Sequence, residues 1–523
     1  MNIVEILQKQ AQERPDAPAI IDMHHGRERV TTFAGLENAS AGGAAMLRGL
    51  GLANGDTALV FQPMSAELYI ALMALFRLGI TAMFVDPSAG REHIERCCGI
   101  SPPQVLIASP KAHLLRLISP ALRHIPHHIC FSRFMPGCKS WSSSGRLEPY
   151  LPITPSAKES PALITFTSGS TGKPKGVVRS HGFLLEQHRV LERAIHLTPG
   201  TTDLTTLPVF VLANLASGVT SLLPDADLRC PGAIKAAAVL RQIDRHHPVS
   251  VVASPALLER ICESCEESGR TVSGFRHLFT GGAPVFPDHL DRFAATFPAA
   301  DVVAVYGSTE AEPIAHISGK ELTADDMAAM SGGAGLLAGF PLDEITVRVI
   351  LPRWGTPLGV LDDSGFSAIC LPAGKGGEIV VCGGHVLKGY LNGVGDEETK
   401  FRVNDEIWHR TGDSGYFDSI GRLWLLGRSA AVINDVRGVL YPFAVECAAR
   451  QLHGIVRAAL VSRQEERILF VQPEKGLNID TDALCNALKW AQLDRVLELD
   501  AIPLDRRHNA KVDYVALAKI TGL

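Results

Sequence analysis

Apolar and polar positions follow two spacings along the chain. Residues 1–154 carry helix-like patterns separated by short apolar runs of strand length. The clearest strand-like runs are residues 57–61, 104–108, 161–164, 249–253, 278–280 and 302–305. Strands that alternate with helices are typical of an α/β domain with a largely parallel sheet. We therefore predict an α/β fold.

Residues 345–391 have a different pattern, in which strand-like alternation dominates and residues 376–381 form its clearest piece. This pattern predicts a small β-barrel-like subdomain within the same large domain. The chain has 523 residues, of which 46% are hydrophobic, so it is longer than one core usually serves. Two or more domains are expected.

The charges and apolar stretches exclude several classes of protein. The formal net charge is −5 with both signs scattered along the chain, so neither nucleic-acid binding nor a polybasic membrane patch is expected. Residues 1–9 have the pattern of an amphipathic helix rather than a signal peptide. The most apolar stretch, residues 68–85, is interrupted by Arg77 and Gly79, which predicts a buried helix and strand rather than a transmembrane segment.

The eleven cysteines show no disulfide framework. Their number is odd and their spacing irregular, which is typical of a protein in a reducing cytoplasm. Cys262 and Cys265 have CxxC spacing, but they lie in a helical pattern and no second pair follows. We interpret both as helix residues rather than as a zinc or redox site.

A candidate phosphate-binding loop follows the strand-like run 161–164. The segment TFTSGSTGKPKG, residues 165–176, holds three glycines, five hydroxyl side chains and two lysines. Backbone N–H groups, hydroxyls and ammonium groups together suit a polyphosphate. The P-loop signature does not fit, because no Gly-Lys-Ser/Thr closes the segment. The candidate phosphate-loop residues are Thr167, Ser168, Gly169, Ser170, Thr171, Gly172, Lys173, Lys175 and Gly176.

This loop resembles the phosphate-binding signature of the adenylate-forming superfamily, which includes acyl-CoA synthetases and peptide-synthetase adenylation domains. Two further segments match the family's pattern in the same order: GGAP at residues 281–284 and YGSTE at residues 306–310. The resemblance implies a ligase that uses ATP and Mg²⁺ to activate a small-molecule carboxylic acid. It also implies that Thr309 touches the α-phosphate and that Glu310 holds Mg²⁺, consistent with the oxygen ligands this cation prefers. It implies that Tyr306 stacks on adenine, and the other implied nucleotide-binding residues of these two segments are Gly282, Ala283, Pro284, Gly307 and Ser308.

The family's ribose motif has its counterpart in HRTGD at residues 409–413, where a carboxylate can accept hydrogen bonds from both ribose hydroxyls. The resemblance implies that Asp413 has this role. Arg428, which the resemblance also implies as a nucleotide-binding residue, stands where the family's large domain passes into a small mobile α+β domain. The implied domains are residues 1–426, with the ATP and acid sites, and residues 427–523.

The C-terminal segment carries the implied catalytic lysine. Lys511 aligns with the family's late lysine, although Asn-Ala rather than Ser-Gly or Thr-Gly precedes it. The implied catalytic residues are therefore Lys511, Glu310, Thr309 and Thr167. Gly438 lies where thioester-forming relatives use a glycine loop to admit pantetheine. Ala430 departs from the Asp or Lys that the family often has two residues after the hinge arginine.

One motif is rejected. Residues 333–338, GAGLLA, fit a dinucleotide-binding fingerprint, but residues 323–329 before them have a helical pattern, so the required strand is missing. NAD binding is therefore not expected.

The implied first step is attack of the acid's carboxylate on the ATP α-phosphate, which gives acyl-AMP and pyrophosphate. Two fates of the acyl-AMP are open. In one, a 3-hydroxyl of the substrate closes a β-lactone; in the other, coenzyme A or a carrier protein takes the acyl group. A third alternative is a non-catalytic member that only binds adenine nucleotides, although Glu310, Asp413 and Lys511 are all present.

Several details resemble the olefin-pathway β-lactone synthetases within the superfamily. They are RHNAK at residues 507–511, GGAPVFP at 281–287, YGSTEAEPI at 306–314 and the short C-terminal domain. The lactone route is therefore preferred over thioester ligation. His508 is a candidate to assist the hydroxyl.

The sequence identifies fewer residues of the acid pocket than of the nucleotide site. Phe210 matches an aromatic residue that the family often carries near the pocket mouth, and Val211 stands where a histidine is common. The apolar composition of this segment favours a fatty or 3-hydroxy fatty acid over an amino acid. Chain length, 3-hydroxylation, oligomeric state and the role of His508 are left open by the sequence.

Overall fold

The structure, a computed structural model, describes residues 2–132, 134–168, 174–228, 234–504 and 512–522, and only the backbone of Thr167 and Ser168. The chain divides into two compact units. The first comprises Met1–Asp225, Gln242–Val249 and Gly384–Asp396, and the second comprises Ala226–Arg241, Ser250–Gly383 and Glu397–Leu523. The domain boundary implied at residues 426 and 427 follows a different criterion and stays a prediction.

Eleven described strands belong to the first unit. They are β1 (Pro18–His24), β2 (Arg27–Thr32), β3 (Thr57–Phe61), β4 (Thr81–Phe84), β5 (Val105–Ala108), β6 (His127–Cys130), β7 (Lys139–Ser140), β8 (Pro161–Ser168), β9 (Pro174–Ser180), β10 (Thr202–Thr205) and β11 (Thr220–Leu222). Seven of them form a sheet in the order β7-β6-β5-β3-β4-β8-β9. All neighbours in this sheet are parallel except β8 and β9. The other four follow the order β2-β1-β11-β10.

The described helices, in chain order, are α1 (Val4–Glu13), α2 (Phe33–Gly49), α3 (Ala66–Arg77), α4 (Arg91–Ile100), α5 (Pro110–His113), α6 (Pro120–Arg123), α7 (His181–Ala194), α8 (Pro208–Ser217), α9 (Ala236–His246), α10 (Pro255–Ser268), α11 (Pro287–Thr296), α12 (Ala324–Ser331), α13 (Asp363–Ile369), α14 (Asp396–Thr399), α15 (Pro442–Arg450), α16 (Thr481–Ala487) and α17 (Tyr514–Thr521). Local chemistry sets several of their ends. Thr32 caps α2 and Ser180 caps α7 through their hydroxyls, and Gly218 ends α8 in the left-handed region at φ 70°.

The core of the first unit explains why the most apolar stretch of the chain is not a membrane span. Helix α3 is buried on almost every side, and β4 follows it directly. The one buried cation of α3, Arg77, forms an ion pair with Glu37 and donates to the carbonyl of Leu151. A buried charge is tolerated when it is paired and hydrogen-bonded in this way. The predicted helix and strand are thus confirmed.

Sixteen described strands belong to the second unit. They are β12 (Ser250–Ala253), β13 (His277–Gly281), β14 (Asp301–Ser308), β15 (Ala311–Ser318), β16 (Leu336–Pro341), β17 (Ile345–Ile350), β18 (Val360–Leu361), β19 (Gly377–Gly383), β20 (Lys400–Val403), β21 (Glu406–Phe417), β22 (Leu423–Arg428), β23 (Ile433–Asp435), β24 (Gly438–Leu440), β25 (Ile455–Arg463), β26 (Glu466–Pro473) and β27 (Arg495–Glu498). Strands β12, β13 and β14 are parallel neighbours. From β14 onward the order β14-β15-β16-β22-β21-β19-β17 is antiparallel throughout.

The segment that was expected to be barrel-like, residues 345–391, supplies β17, β18 and β19. These strands pair with β20 and β21, and aromatic side chains such as Phe366, Phe401 and Trp408 fill a core of their own. Further along the chain, β23 and β24 form a hairpin, while β25, β26 and β27 form a three-stranded sheet. Helix α15 packs against this sheet through Val445, Ala448 and Ala449.

Two other sequence predictions, on Cys262 and Cys265 and on residues 323–329, are confirmed at the level of elements. Cys262 and Cys265 are buried helix residues within α10. Helix α12 precedes residues 333–338, so the rejected dinucleotide fingerprint indeed lacks its strand. Phe210 lies in α8, where it is buried. No helix in the described part of the chain is long and apolar enough to cross a membrane.

Candidate active site

Three side chains predicted to bind the nucleotide come together in the second unit. The hydroxyl of Tyr306 donates a hydrogen bond to Oδ2 of Asp413 at 2.8 Å. The other carboxylate oxygen, Oδ1, lies 3.2 Å from a guanidinium nitrogen of Arg428. The tyrosine ring is therefore held by its hydroxyl in one orientation, as a base-stacking role requires. Each carboxylate oxygen keeps a second lone pair that can accept a hydrogen bond.

Strand pairing explains the distance between the carboxylate and the arginine. Asp413 in β21 lies directly opposite Arg428 in the antiparallel neighbour β22. Directly opposed side chains in such a pair are neighbours on the same face. The backbone N–H of Asp413 also donates to the hydroxyl of Thr411 at 3.1 Å, and that hydroxyl donates to the carbonyl of Ile379 at 2.9 Å. The ribose motif is thus part of a twelve-residue strand, not a loop.

The charges at this cluster reinforce one another. The Asp413 carboxylate raises the pKa of the Arg428 guanidinium above its ordinary value, and Tyr306 and Glu310 act in the same direction. Burial, followed by the nearby Asp413 charge, raises the pKa of the Tyr306 phenol well above its usual range. Tyr306 therefore remains a neutral hydrogen-bond donor and Arg428 a cation across the physiological pH range.

The adenine-side turn has space above its backbone. Gly281 lies opposite Val305 in the pairing of β13 with β14, where an added Cβ would be 2.5 Å from the Val305 carbonyl oxygen. Gly282 follows at φ 78°, which favours glycine, and no described atom lies within 4 Å of its missing Cβ. A flat ring can therefore lie against this backbone. Ala283 and Pro284, also predicted here, are half-buried.

The central motif spans a strand end and a tight turn. Strand β14 ends at Ser308 and β15 begins at Ala311, which pairs with Ser308, so Thr309 and Glu310 form the turn between them. The pairing is irregular between Tyr306 and Ser308, across Gly307. Such irregularities re-aim side chains. The hydroxyl of Ser308 is buried and has no hydrogen-bond partner among the described residues, as expected of a group that awaits a ligand.

The residues near Glu310 suit an Mg²⁺ ion that the protein and the phosphates of the nucleotide hold together. No group of three or more His, Cys, Asp or Glu side chains suited to a metal occurs among the described residues. Mg²⁺ in nucleotide enzymes commonly takes one or two carboxylates, with phosphate oxygens and waters completing its shell. Glu310, in a turn beside the orphan hydroxyl of Ser308, suits that role.

The phosphate loop begins and ends on paired strands of the first unit. Strands β8 and β9 are antiparallel, and their last pair is Ser168 with Pro174. Residues 169–173, which include Lys173 and the four predicted ligands before it, lie outside the described residues, as do the side chains of Thr167 and Ser168. Their phosphate contacts stay a prediction.

Two predicted ligands at the base of this loop have packing roles. The Lys175 side chain is buried, with its ammonium 5.8 Å from the ring centre of Tyr390 and its stem against Gly395. An added Cβ at Gly176 would lie 2.8 Å from Cβ of Leu391, so glycine permits this close approach. These contacts fix the end of the loop to residues 390–395. Any additional phosphate contact of Lys175 stays a prediction.

The C-terminal segment is described on both sides of the predicted lysine. Residues 505–511, including His508 and Lys511, lie outside the described residues. Leu504 and Val512 form an antiparallel bridge, and the N–H of Asp513 donates to the carbonyl of Pro503 at 2.9 Å. The ends of the segment that carries Lys511 are therefore tied together.

Sequence reasoning singled out Glu446 but did not predict its burial or its contacts beside this segment. Glu446 on α15 is buried, and its Oε1 accepts hydrogen bonds from the Tyr514 hydroxyl at 2.6 Å and the Leu460 N–H at 2.9 Å. Burial raises the pKa of Glu446 to about 7. The two side chains are 68 residues apart in sequence, so no local pattern could have joined them.

A second missed contact lies next to the adenine-side turn. The Arg450 guanidinium sits 4.0 Å over the Phe286 ring and 2.9 Å from the carboxylate of Asp288. Phe286 belongs to the same GGAPVFP segment that carries Gly282. In this arrangement, residues after the hinge arginine are held against the adenine-side turn.

Known proteins resemble this chain in sequence and in fold. The family model described as AMP-binding enzyme matches residues 7–391. An olefin beta-lactone synthetase of Stenotrophomonas maltophilia is 32% identical, covering 99% of this chain and 97% of that protein. One from Xanthomonas campestris pv. campestris is 31% identical with the same coverage. A crystal structure of ATP-bound MatB from Rhodopseudomonas palustris has a TM-score of 0.79 at 20% identity and covers 99% of each chain.

The chain therefore belongs to the AMP-binding enzyme family. It is an adenylate-forming enzyme with the mixed α/β fold of that class. The resemblance drawn from the phosphate loop and the YGSTE motif is confirmed. The role of each individual site residue stays a prediction.

Proposed function

We propose that this protein activates a 3-hydroxy fatty acid with ATP and then closes it to a β-lactone. The observation that carries the second step is the similarity to olefin beta-lactone synthetases along practically the whole chain. The Tyr306–Asp413–Arg428 cluster and the open backbone at Gly282 support the first step. A fatty chain is favoured by the apolar α8, whose residues from Phe210 to Ser217 are all buried. A cytoplasmic location, favoured by the irregular cysteine spacing, belongs to the same proposal.

The first step forms one bond and breaks one. A carboxylate oxygen of the acid attacks the α-phosphorus of ATP, the bond from that phosphorus to the bridging oxygen breaks, and pyrophosphate leaves. Two anions must approach each other, so the barrier is largely electrostatic and positional. Asp413 holds the ribose and Tyr306 the adenine. Lys511 compensates charge between the carboxylate and the α-phosphate.

A bound Mg²⁺ at Glu310 would neutralise phosphate charge and orient the leaving pyrophosphate. The protein's own contribution is to hold the nucleotide so that the α-phosphate faces the acid. In this proposal Thr309, which lies beside Glu310 in the β14–β15 turn, donates a hydrogen bond to that phosphate.

The second step is intramolecular. The 3-hydroxyl oxygen attacks the acyl carbonyl, the acyl–phosphate bond breaks, AMP leaves with the electron pair, and the hydroxyl proton passes to a base. The product is a four-membered lactone. No external thiol is needed, so only one substrate besides ATP has to bind. His508 is our candidate for the base.

Thioester ligation is the second candidate function. It is favoured by the β23–β24 hairpin, in which Gly438 has φ 103° and no described atom within 4 Å of its missing Cβ. Coenzyme A or a carrier's pantetheine would then attack the same acyl carbonyl. Both candidates share acyl-AMP, so they differ in the nucleophile alone.

Two measurements test the proposal. ATP–pyrophosphate exchange with a panel of fatty and 3-hydroxy fatty acids tests the first step, and absence of exchange with every acid would favour a non-catalytic nucleotide-binding member. Mass spectrometry of products formed with and without coenzyme A tests the second. A product lighter than the hydroxy acid by one water, formed without coenzyme A, supports the lactone. A thioester that forms only with coenzyme A supports ligation.

A further inference from the structure

One stretch of the chain departs from the mixed charge of the rest. From Arg96 through Leu147 the sequence contains seven Lys or Arg residues, Arg96 included, and no Asp or Glu, although the whole chain has a net charge of −5. The same stretch also holds four histidines. A basic block within an acidic protein is an electrostatic footprint for an anionic surface.

The stretch also exposes large apolar side chains. Phe134 is 83% exposed and Leu117 73%, and more than half of Leu114 and of Ile118 faces solvent. Single exposed apolar residues are ordinary, but four in one acid-free stretch are not explained by chance exposure. We call these four residues and the basic residues Lys111, Arg116, Arg123 and Lys139 the basic-apolar patch.

Contacts within the first unit join the two halves of this patch. The Arg116 guanidinium donates to Sγ of Cys138 at 2.9 Å and approaches the carbonyl of Pro136 at 3.5 Å. Arg123 donates to the carbonyls of Arg116 at 3.2 Å and Leu117 at 3.0 Å. The helical segment 110–123 and the segment 134–138 are therefore one surface, not two separate loops.

The patch lies at an edge of the seven-stranded sheet. Its last strand, β7, begins at Lys139, directly after the segment that carries Phe134. Beside Phe134 a groove of about 550 Å³ is lined by Leu50, Pro126, His127, Met135 and Lys139, among others. Near the patch, Glu95 is paired with Arg91 at 2.9 Å and accepts from Ser119 at 3.4 Å. Among the described residues, no carboxylate forms an ion pair with Lys111, Arg116, Arg123 or Lys139, so their positive charge is uncompensated.

We propose that the basic-apolar patch docks the protein on an anionic lipid bilayer. Apolar side chains that enter the headgroup region, flanked by Lys and Arg, are the combination by which peripheral proteins bind such surfaces. A nucleic acid would match the charge but would leave Leu117, Ile118 and Phe134 without apolar partners. An acidic protein is the remaining alternative, and the experiment below separates it. None of the patch residues is among those assigned to the adenylation reaction.

The test is flotation of the full-length protein with lipid vesicles. Vesicles of phosphatidylcholine alone are compared with vesicles that also contain phosphatidylglycerol, each at low and high salt. We expect binding to the anionic vesicles alone, weakened by salt because the attraction is partly electrostatic. L117S/F134S is expected to bind at least about tenfold more weakly, since two inserted side chains are lost.

Two matched controls make the result specific. V360S/I420S removes two similarly exposed apolar side chains from the second unit and should bind like the wild type. K111A/K139A should weaken binding, whereas K475A/K489A, which removes two exposed lysines elsewhere, should not. ATP–pyrophosphate exchange and circular dichroism show that each variant is folded, so loss of binding cannot be mistaken for unfolding.

Several outcomes would overturn the proposal. The first is that the wild-type protein does not float with anionic vesicles at low salt. The second is that L117S/F134S and V360S/I420S bind equally well. The third is that the wild-type protein binds neutral vesicles as well as it binds anionic vesicles. The first outcome would leave an acidic protein as the partner that the patch fits. None of these outcomes depends on which acid the enzyme activates.

Discussion

The hydroxyl of Tyr306 lies 2.8 Å from Oδ2 of Asp413, so one side chain predicted to stack on adenine is fixed by the side chain predicted to bind ribose. The carboxylate therefore has two tasks. It orients the ring, and in the proposed function its remaining lone pairs accept hydrogen bonds from the sugar. Arg428, at 3.2 Å from Oδ1, balances the negative charge. This coupling between base and ribose recognition leads to two predictions.

Tyr306→Phe keeps the ring and removes the hydroxyl. We expect the KM for ATP to rise about five- to tenfold with little change in kcat, because a net hydrogen bond contributes about 1–1.5 kcal/mol and acts here on binding. Steady-state adenylation kinetics measure both constants. Tyr416→Phe is the matched control. Tyr416 lies on the same strand as Asp413, and its hydroxyl donates to the Ala334 carbonyl at 3.1 Å. An equal KM change in both variants would contradict a specific role for Tyr306.

Asp413→Asn tests ribose recognition directly. The wild type is expected to use ATP better than 2′-deoxy-ATP and 3′-deoxy-ATP, because the carboxylate accepts hydrogen bonds from both hydroxyls. The variant should lose most of this preference, by about tenfold or more, since a hydrogen bond to a charged group contributes about 1.5–3 kcal/mol. The ratio of kcat/KM values for the three nucleotides is the readout. A variant with the wild-type ratio would show that the ribose is recognised elsewhere.

The sequence predicted this site better than it predicted the contacts around it. The residues of YGSTE and HRTGD were identified because each segment carries a family pattern. The antiparallel turn at Thr309 and Glu310 was not predicted, because strand pairing depends on register between segments rather than on local spacing. Arg450 over Phe286 was missed for a similar reason, since a lone surface-type arginine gives no sign of its partner.

For the basic-apolar patch, the charge pattern is visible in the sequence, but the exposure of the apolar residues is not. The absence of acidic residues from 96 to 147 is visible in the sequence, yet the even balance of the whole chain led to the expectation that no polybasic patch exists. What the sequence could not supply was the exposure of Leu117 and Phe134. Apolar residues in an α/β protein are normally assigned to the core.

Lys511→Ala is predicted to slow adenylation by roughly a hundredfold or more, the loss expected when one charge that stabilises the transition state is removed. ATP binding should persist, because the proposed adenine and ribose contacts belong to Tyr306 and Asp413. Pyrophosphate exchange measures the rate and equilibrium dialysis the binding. Lys519→Ala, eight residues further on at an exposed position of α17, is the control. Retained activity in Lys511→Ala would move the catalytic cation elsewhere.

Glu446 gives a prediction about pH. Burial raises its pKa from 4.5 to about 7 in the folded protein. Between these two pH values the folded protein therefore keeps a proton that the unfolded chain has released. The contribution to stability is thus largest below pH 4.5 and falls as pH rises through 7, by about 3 kcal/mol in total. Glu446→Gln cannot ionise and keeps an oxygen for Tyr514 and Leu460.

The measurement for Glu446 is the free energy of unfolding of the wild type and Glu446→Gln across this pH range. The variant should match the wild type near pH 4 and exceed it near pH 8, so the difference between them grows with pH. Denaturant titrations at each pH provide it, and other titrating groups cancel in the difference. A difference that does not change with pH would contradict the buried, neutral state of Glu446.

The central claim is that acyl-AMP forms and is then closed by the substrate's own hydroxyl. The most direct measurement uses a 3-hydroxy fatty acid with ¹⁸O in both carboxylate oxygens, incubated with the protein, ATP and Mg²⁺ in the absence of coenzyme A. One ¹⁸O should appear in AMP, and the other should remain in a product lighter than the acid by one labelled water. Labelled AMP that appears only when coenzyme A is added, together with an acyl thioester, would contradict lactone closure and assign the protein to thioester ligation.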